Sequence, residues 1–236
     1  MSALFSSLIP ADDASRLRAL ERYWLLDARS EKVLDDIVAA TAQLFNVSNA
    51  LLSFVEAQTV LVKAPYNLPI PLERIPREQS LCSATILQNE AAVYEDLDKI
   101  TVPGLDPALV HQLGLHFYAG YSLRAPDGHN IGALCLFDGT PRRFSPEERT
   151  LLGALAGLVM RLLELRRLLG PHAGTTAMLW EFIYKAISEQ LAHLTALARR
   201  VVPTAQPVPL DPALAREAGA IVGLIDSFVA GTLRRS

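Results

Sequence analysis

The chain has only two cysteines, Cys82 and Cys135, in 236 residues, too few for a disulfide framework. None of the five histidines stands at finger or ribbon spacing from either cysteine, so no metal site is expected. Long apolar runs are missing too. The richest, Leu151 to Met160, is about half of the ~20 residues a membrane-spanning helix needs, and Arg161 ends it. No membrane partner is expected. The start, MSALFSSLIPADD, lacks the basic segment and sustained apolar stretch of a secretory signal, which leads to an expected cytoplasmic location with reduced thiols. A net charge of −3 with mixed signs along the chain provides no basic stripe to neutralise phosphates, so nucleic acid is not an expected partner. Gly128, Gly132, Gly139 and Gly153 lie apart and form no phosphate-cradling loop.

Against these absences stand a hydrophobic content of 50% and a mean hydropathy of +0.23, enough apolar material for one packed domain and an appendage. Leu17, Leu20 and Trp24 recur at helical spacing, with Asp12 and Asp13 available to cap the helix start. A second helix, capped by Ser30, carries Val33, Leu34, Ile37, Val38, Leu44 and Phe45 along one side. From Ala50 the pattern changes to ALLSFV and TVLVKA, two apolar runs separated by Glu56, Ala57 and Gln58, which predict a β-hairpin covered on both faces. Four prolines between Pro65 and Pro76 predict loop rather than strand, because each fixes φ and removes a donor. Leu81 to Gln88 predicts a short helix, AAVY a short strand, and Leu105 to Leu113 a weak helix. FYAGYSL and NIGALCLF predict strands joined through RAPDGH, whose Pro126, Asp127 and Gly128 suit a tight turn.

Ser145-Pro146-Glu147-Glu148 is a capping box with proline at the first helical position. It opens a long helix in which Leu151, Leu155, Leu158, Leu162 and Leu165 form a bundle-like seam, ended by Gly170-Pro171.

Four short motifs occur in order: Ser80-Leu81-Cys82, Phe117-Tyr118-Ala119-Gly120, Gly132-Ala133-Leu134-Cys135, and Asp138 through Phe144 and Ser145, with Pro141-Arg142 inside it. Together they resemble the GAF domains of bacterial sensor kinases and cyclase regulators. The resemblance spans residues 10–168 and implies an α+β fold: a central antiparallel sheet of about six strands, helices on one face and a small-ligand cavity on the other. It also implies a non-catalytic sensory or regulatory role in signal transduction, exercised on a small molecule or a signalling protein partner.

The particular chemistries of the family each lack a part. Bilin attachment in the related phytochromes uses a cysteine, but SLCSATIL has no adjoining Cys-His pair. The Asn-Lys and Asp-Glu motif of cyclic-nucleotide members is missing, so no cofactor is assigned. Free methionine sulfoxide reductases, the enzymatic alternative, have a Val-Cys-Gly-Thr segment that Leu81-Cys82-Ser83-Ala84 resembles. They also need a second cysteine in an intervening loop, and Cys135 lies on a late strand. No catalytic residue is assigned. Phe54, Cys82, Tyr94, Asp96, Tyr118 and Tyr121 are the candidate pocket lining, although aromatic residues on half-buried strands serve equally as core.

After a linker at 169–174, residues 175–236 predict a helical hairpin. Leu179, Phe182, Ile183, Ala186, Ile187, Leu191, Leu194 and Ala198 form one apolar stripe, and Leu214, Ala218, Ile221, Ile225 and Phe228 the other. Pro203, Pro207, Pro209 and Pro212 break the connection. Two such helices bury little alone, so a homodimer completing a four-helix bundle, or alternatively a ligand-free structural dimer, is expected. The hairpin faintly resembles the phosphoacceptor hairpin of histidine kinases. Leu194 follows His193 where that family has an acidic residue, so His193 reads as a helix-surface residue and no autokinase activity is expected.

Overall fold

The computed structural model describes residues 8–23, 32–68, 73–102, 114–169, 175–201 and 208–233. The expectations for Trp24, the Ser30 cap, the helix at Leu105 to Leu113, the stop at Gly170-Pro171 and the prolines Pro203 and Pro207 lie outside the described residues.

Helices α1 (Asp13–Glu21) and α2 (Lys32–Leu44) precede strands β1 (Asn49–Val55), β2 (Thr59–Tyr66) and β3 (Arg74–Pro76). A single 3-10 turn, Arg77–Gln79, leads into the short helix α3 (Leu81–Thr85) and strand β4 (Ala92–Tyr94). Then come β5 (Phe117–Arg124), β6 (Asn130–Asp138) and the helices α4 (Pro146–Leu169), α5 (Thr175–Ala198) and α6 (Pro212–Leu233). The six strands form one sheet in the order β3-β2-β1-β6-β5-β4, and every neighbouring pair is antiparallel. The α+β class and the six-stranded sheet agree with the sequence expectation.

Strand alternation sorts the core into two layers. Ala50, Leu52 and Phe54 of β1 and Leu134 and Leu136 of β6 face the helices, in one core with residues of α1, α2, α4, α5 and α6. Leu51 and Val55 of β1 and Ala133, Cys135 and Phe137 of β6 face the other way, where Leu81, Cys82 and Ala84 of α3 cover them. Burial on both faces explains why these strands read as unbroken apolar runs.

Two local expectations are corrected. The proline-rich stretch is not all loop: β2 continues through Pro65, and β3 pairs with β2 through Thr59↔Pro76, Val60↔Ile75 and Leu61↔Arg74. Proline is tolerated in both places because β3 is an edge strand and its pairing with β2 stops short of Pro65. Asp12 and Asp13 do not cap α1 with their side chains. Asp12 instead meets His129 at 2.8 Å, and Asp13 binds the buried guanidinium groups of Arg16 at 2.7 Å and Arg77 at 2.9 Å. A buried cation needs an anion more than a helix end needs a cap.

The seam leucines of α4, from Leu151 to Leu165, are all buried. The C-terminal hairpin folds back onto the same chain, with α5 packed on α2 and α6 packed on α4. Ile183, Ile187, Leu191 and Leu194 of α5 and Ala218, Val222, Ile225 and Val229 of α6 join the core of the helical face. Much of both stripes is therefore covered within one chain. Phe182 and Phe228 remain 67% and 41% exposed, as do Met178 and Leu224 at 69% and 62%.

Candidate functional site

Cys82, in the first turn of α3, is placed there by the Ser80 hydroxyl, which accepts from the Cys82 amide at 3.2 Å. The far end of α3 is held by Ser122 on β5, whose hydroxyl shares its one proton between the carbonyls of Thr85 and Gln88, both at 2.9 Å. This clamps the short helix across the sheet face that carries Tyr118 and Cys135. The two sulfurs lie 3.3 Å apart. The Tyr118 hydroxyl lies 3.2 Å from the Cys135 sulfur and makes a short hydrogen bond with Thr85. The result is a buried chain of four groups, Thr85, Tyr118, Cys135 and Cys82.

Two motif glycines make this packing possible. A Cβ at Gly120 would run into the Tyr118 hydroxyl and come within 2.8 Å of Thr85 Oγ1. At Gly132 it would strike the backbone carbonyl of Ser53 and come within 3.1 Å of Phe54 Cα. Phe-Tyr-Ala-Gly and Gly-Ala-Leu-Cys thus each include a residue whose missing side chain is filled by a neighbour.

The electrostatics of the chain differ along it. The hydrogen bond from Cys135 draws the Cys82 thiol down to about 7, opposed by burial and assisted by Ser53, Ser80 and Tyr118. Burial pushes the Cys135 thiol well up, with Cys82 adding to the rise. Tyr118 is likewise held well above its usual value by burial and by the two sulfurs. Cys82 is the group of the four best suited to carry negative charge.

The six expected lining residues do not share one site. Cys82, Tyr94 and Tyr118 come together beneath α3, with the tyrosine rings 5.9 Å apart. Phe54 and Tyr121 belong to the helical face, where the Tyr121 ring lies against α4 at Gly153. Asp96 stands apart, paired with Lys99 at 2.6 Å and accepting from the Asp98 amide at 3.2 Å. Cys135 is the corresponding omission: its place on a late strand suggested distance from Cys82, whereas β6 lies at the sheet centre and α3 crosses above it. Among the described residues, no three histidine, cysteine or acidic side chains are grouped to hold a metal ion, and no helix is long and apolar enough to cross a membrane. His193 is exposed on α5.

A second polar cluster links the domain to its appendage. Asp138 accepts from the Ser48 amide at 2.8 Å and hydroxyl at 2.9 Å, and from the Thr140 amide at 2.9 Å. This turns the chain toward Arg142, whose guanidinium is buried with Glu148 as its ion-pair partner. Arg142 also donates to the carbonyls of Phe45 and Val208, the latter at 3.3 Å. Its guanidinium packs over the rings of Phe117 and Phe144 at 5.5 and 5.9 Å. Burial pushes the Glu148 carboxyl up, with Arg142 opposing.

The GAF domain family model matches residues 29–163. The chain belongs to the GAF domain family. The match covers the sheet, α2, α3 and most of α4, with all four motifs. A cyclic di-GMP phosphodiesterase of Pseudomonas aeruginosa is 30% identical over 154 residues, 64% of this chain and 26% of the relative. The chain thus spans about a quarter of that relative's length. Among solved structures, the GAF domain region of a putative membrane protein from Geobacter sulfurreducens superposes with a TM-score of 0.49 at 17% identity, covering 66% of this chain and 100% of that one. The free methionine-R-sulfoxide reductase of Neisseria meningitidis in complex with its substrate gives 0.48 at 17% identity, covering 66% of this chain and 92% of that one.

Proposed function

We propose that this GAF domain is a non-catalytic sensory or regulatory module in signal transduction, which binds a small molecule or a protein partner on the sheet face beneath α3 and passes its state to α5 and α6. One observation carries the reading: the two sheet faces are unequally loaded. The helical face is continuous with the C-terminal hairpin in a single core, whereas the α3 face has its own smaller core with tyrosines and hydroxyls at its centre. A change on the second face reaches the hairpin through the sheet and through Arg142 and Glu148, which hold the segment leading into α6.

Native mass spectrometry of protein purified from its source tests this reading. A retained small molecule or bound protein, released on denaturation, is the expected result. Turnover of free methionine sulfoxide in a thiol-coupled assay would replace it with the enzymatic reading.

The same proposal includes association of two copies through the C-terminal helices. Met178 and Phe182 lie in the first half of α5, and Leu224 and Phe228 in the second half of α6, at the end of the hairpin remote from its connection. Their exposure offers apolar surface that a second copy can bury.

A further inference from the structure

We propose that Cys82 and Cys135 form a redox-active dithiol, which a hydroperoxide converts into an intramolecular disulfide joining α3 to β6. This goes beyond the sensory reading and does not depend on whether the domain retains a ligand.

The bland account of a buried cysteine is a small apolar filler, for which alanine or valine would serve as well. Three features here exceed that account. The only two cysteines in the sequence, 53 positions apart, meet with their sulfurs at 3.3 Å, near enough that a bond of about 2.05 Å forms by a side-chain adjustment of little more than an ångström. Their surroundings are not purely apolar: the Ser80 hydroxyl accepts from the Cys82 amide at 3.2 Å, and the Tyr118 hydroxyl lies 3.2 Å from the Cys135 sulfur. Polar groups this close to the sulfur pair favour a thiolate that a hydrocarbon pocket would suppress. The two attachment points also differ in how they are held. Cys135 is fixed in the middle of the sheet by ladder bonds to β1 and β5, whereas Cys82 belongs to a five-residue helix tied to the sheet by the Ser122 side chain.

The chemistry balances with one peroxide. The Cys82 thiolate attacks one peroxide oxygen, the O–O bond breaks, and the departing hydroxide takes up a proton as water, leaving a sulfenic acid on Cys82. The Cys135 sulfur then attacks the Cys82 sulfur, the S–O bond breaks, and the hydroxyl leaves as a second water carrying the Cys135 proton. Two thiols and one hydroperoxide thus become one disulfide and two waters when the oxidant is hydrogen peroxide. The two electrons lost by the sulfurs are those that cleave the O–O bond. Tyr118, hydrogen-bonded to Cys135, orients that sulfur toward Cys82.

Both thiols are almost wholly covered, at 2% and 0% exposure, which selects a water-sized oxidant over bulky disulfides such as oxidised glutathione. Once formed, the bridge pins α3 to the sheet and fixes its distance from β6.

The test is exposure of the full, reduced, folded chain to hydrogen peroxide, followed by denaturation, capping of free thiols with N-ethylmaleimide, and intact and peptide mass spectrometry. The expected product has lost two hydrogens, carries no maleimide, yields a linked peptide pair containing Cys82 and Cys135, and returns to two capped thiols after dithiothreitol. Cys135→Ser is expected to stop at a dimedone-reactive Cys82 with no linked pair. Two maleimides on the peroxide-treated wild-type chain would overturn the proposal, as would linked peptides found only between two chains. The wild-type measurement decides the matter even if the variant folds poorly.

Discussion

Glu148 accepts a hydrogen bond from the backbone amide of Leu210 at 3.1 Å while its other carboxylate oxygen accepts from the Ser145 amide at 2.7 Å. One side chain therefore closes the N-terminus of α4 and holds the segment before α6. The Ser145 hydroxyl returns the bond by accepting from the Glu148 amide at 3.2 Å, completing the reciprocal box.

Removing Arg142 leaves Glu148 buried without its cation. Arg142→Ala is expected to cost about 3–5 kcal/mol, the usual range for breaking a buried pair from one side, and Glu148→Gln to fall in the same range, because it strands the buried Arg142 cation although its amide oxygen still accepts from Leu210. Urea unfolding of the two variants measures both losses. Equal losses would show that the charge, rather than the backbone tether, dominates.

The two motif glycines should respond differently to the same added methyl group. At Gly132 the obstacle is the β1 backbone, which cannot withdraw without breaking the ladder; at Gly120 it is the ends of Tyr118 and Thr85, which can. Gly120→Ala is expected to cost about 1–3 kcal/mol, typical of overpacking, and Gly132→Ala more, to the point of lost soluble expression. Thermal melts of the two variants rank them.

Acid should act through Asp13. Burial raises its pKa, but the hydrogen bonds and charges of Arg77 and Arg16 outweigh it and hold the carboxyl below its ordinary 3.8. A depressed folded value means that the stabilisation is fully present above the unfolded value and is lost as pH falls through the lower folded one. The stability difference between wild type and Asp13→Asn is therefore expected to stay constant at neutral pH and to shrink below pH 3.8. Paired denaturant titrations across that range check it.

Oxidation of Cys82 should follow its ionisation. The rate of disulfide formation at fixed peroxide is expected to rise with pH about a midpoint near 7. Monitoring Cys82 sulfenic acid in Cys135→Ala, which lacks the donor, should move the midpoint upward. A rate independent of pH would remove the thiolate from the mechanism.

Self-association should depend on the exposed end of the hairpin. Light scattering at tens of micromolar is expected to return a dimer for the wild-type chain, and a monomer for Phe182→Glu or Phe228→Glu, without loss of helicity by circular dichroism. A wild-type monomer would remove the dimer from the functional proposal.

Local signals in the sequence carried well into three dimensions. The Glu56 to Gln58 gap became the turn between β1 and β2, and Ser145 with Glu148 became the start of α4. Relations between distant segments were less legible. The meeting of Cys82 with Cys135 depends on strand order and on where α3 crosses the sheet, which no local pattern encodes. The hairpin's docking on α2 and α4 was obscure for a similar reason, since an apolar stripe does not name the surface that covers it. The division of the tyrosines was, however, available: Tyr118 and Tyr121 are an odd number of positions apart on one strand, and a period of two sends them to opposite faces.

Both borders of the sheet are brief. β3 and β4 are three residues each, and β3 ends in a proline that cannot donate to a further strand. Such borders give an incoming chain little to pair with, so growth by strand addition, the usual route to fibrous aggregates of β-rich domains, is disfavoured at either end. The surface left for contact is therefore made of side chains on the helices and loops, where single substitutions change its chemistry without exposing the main chain.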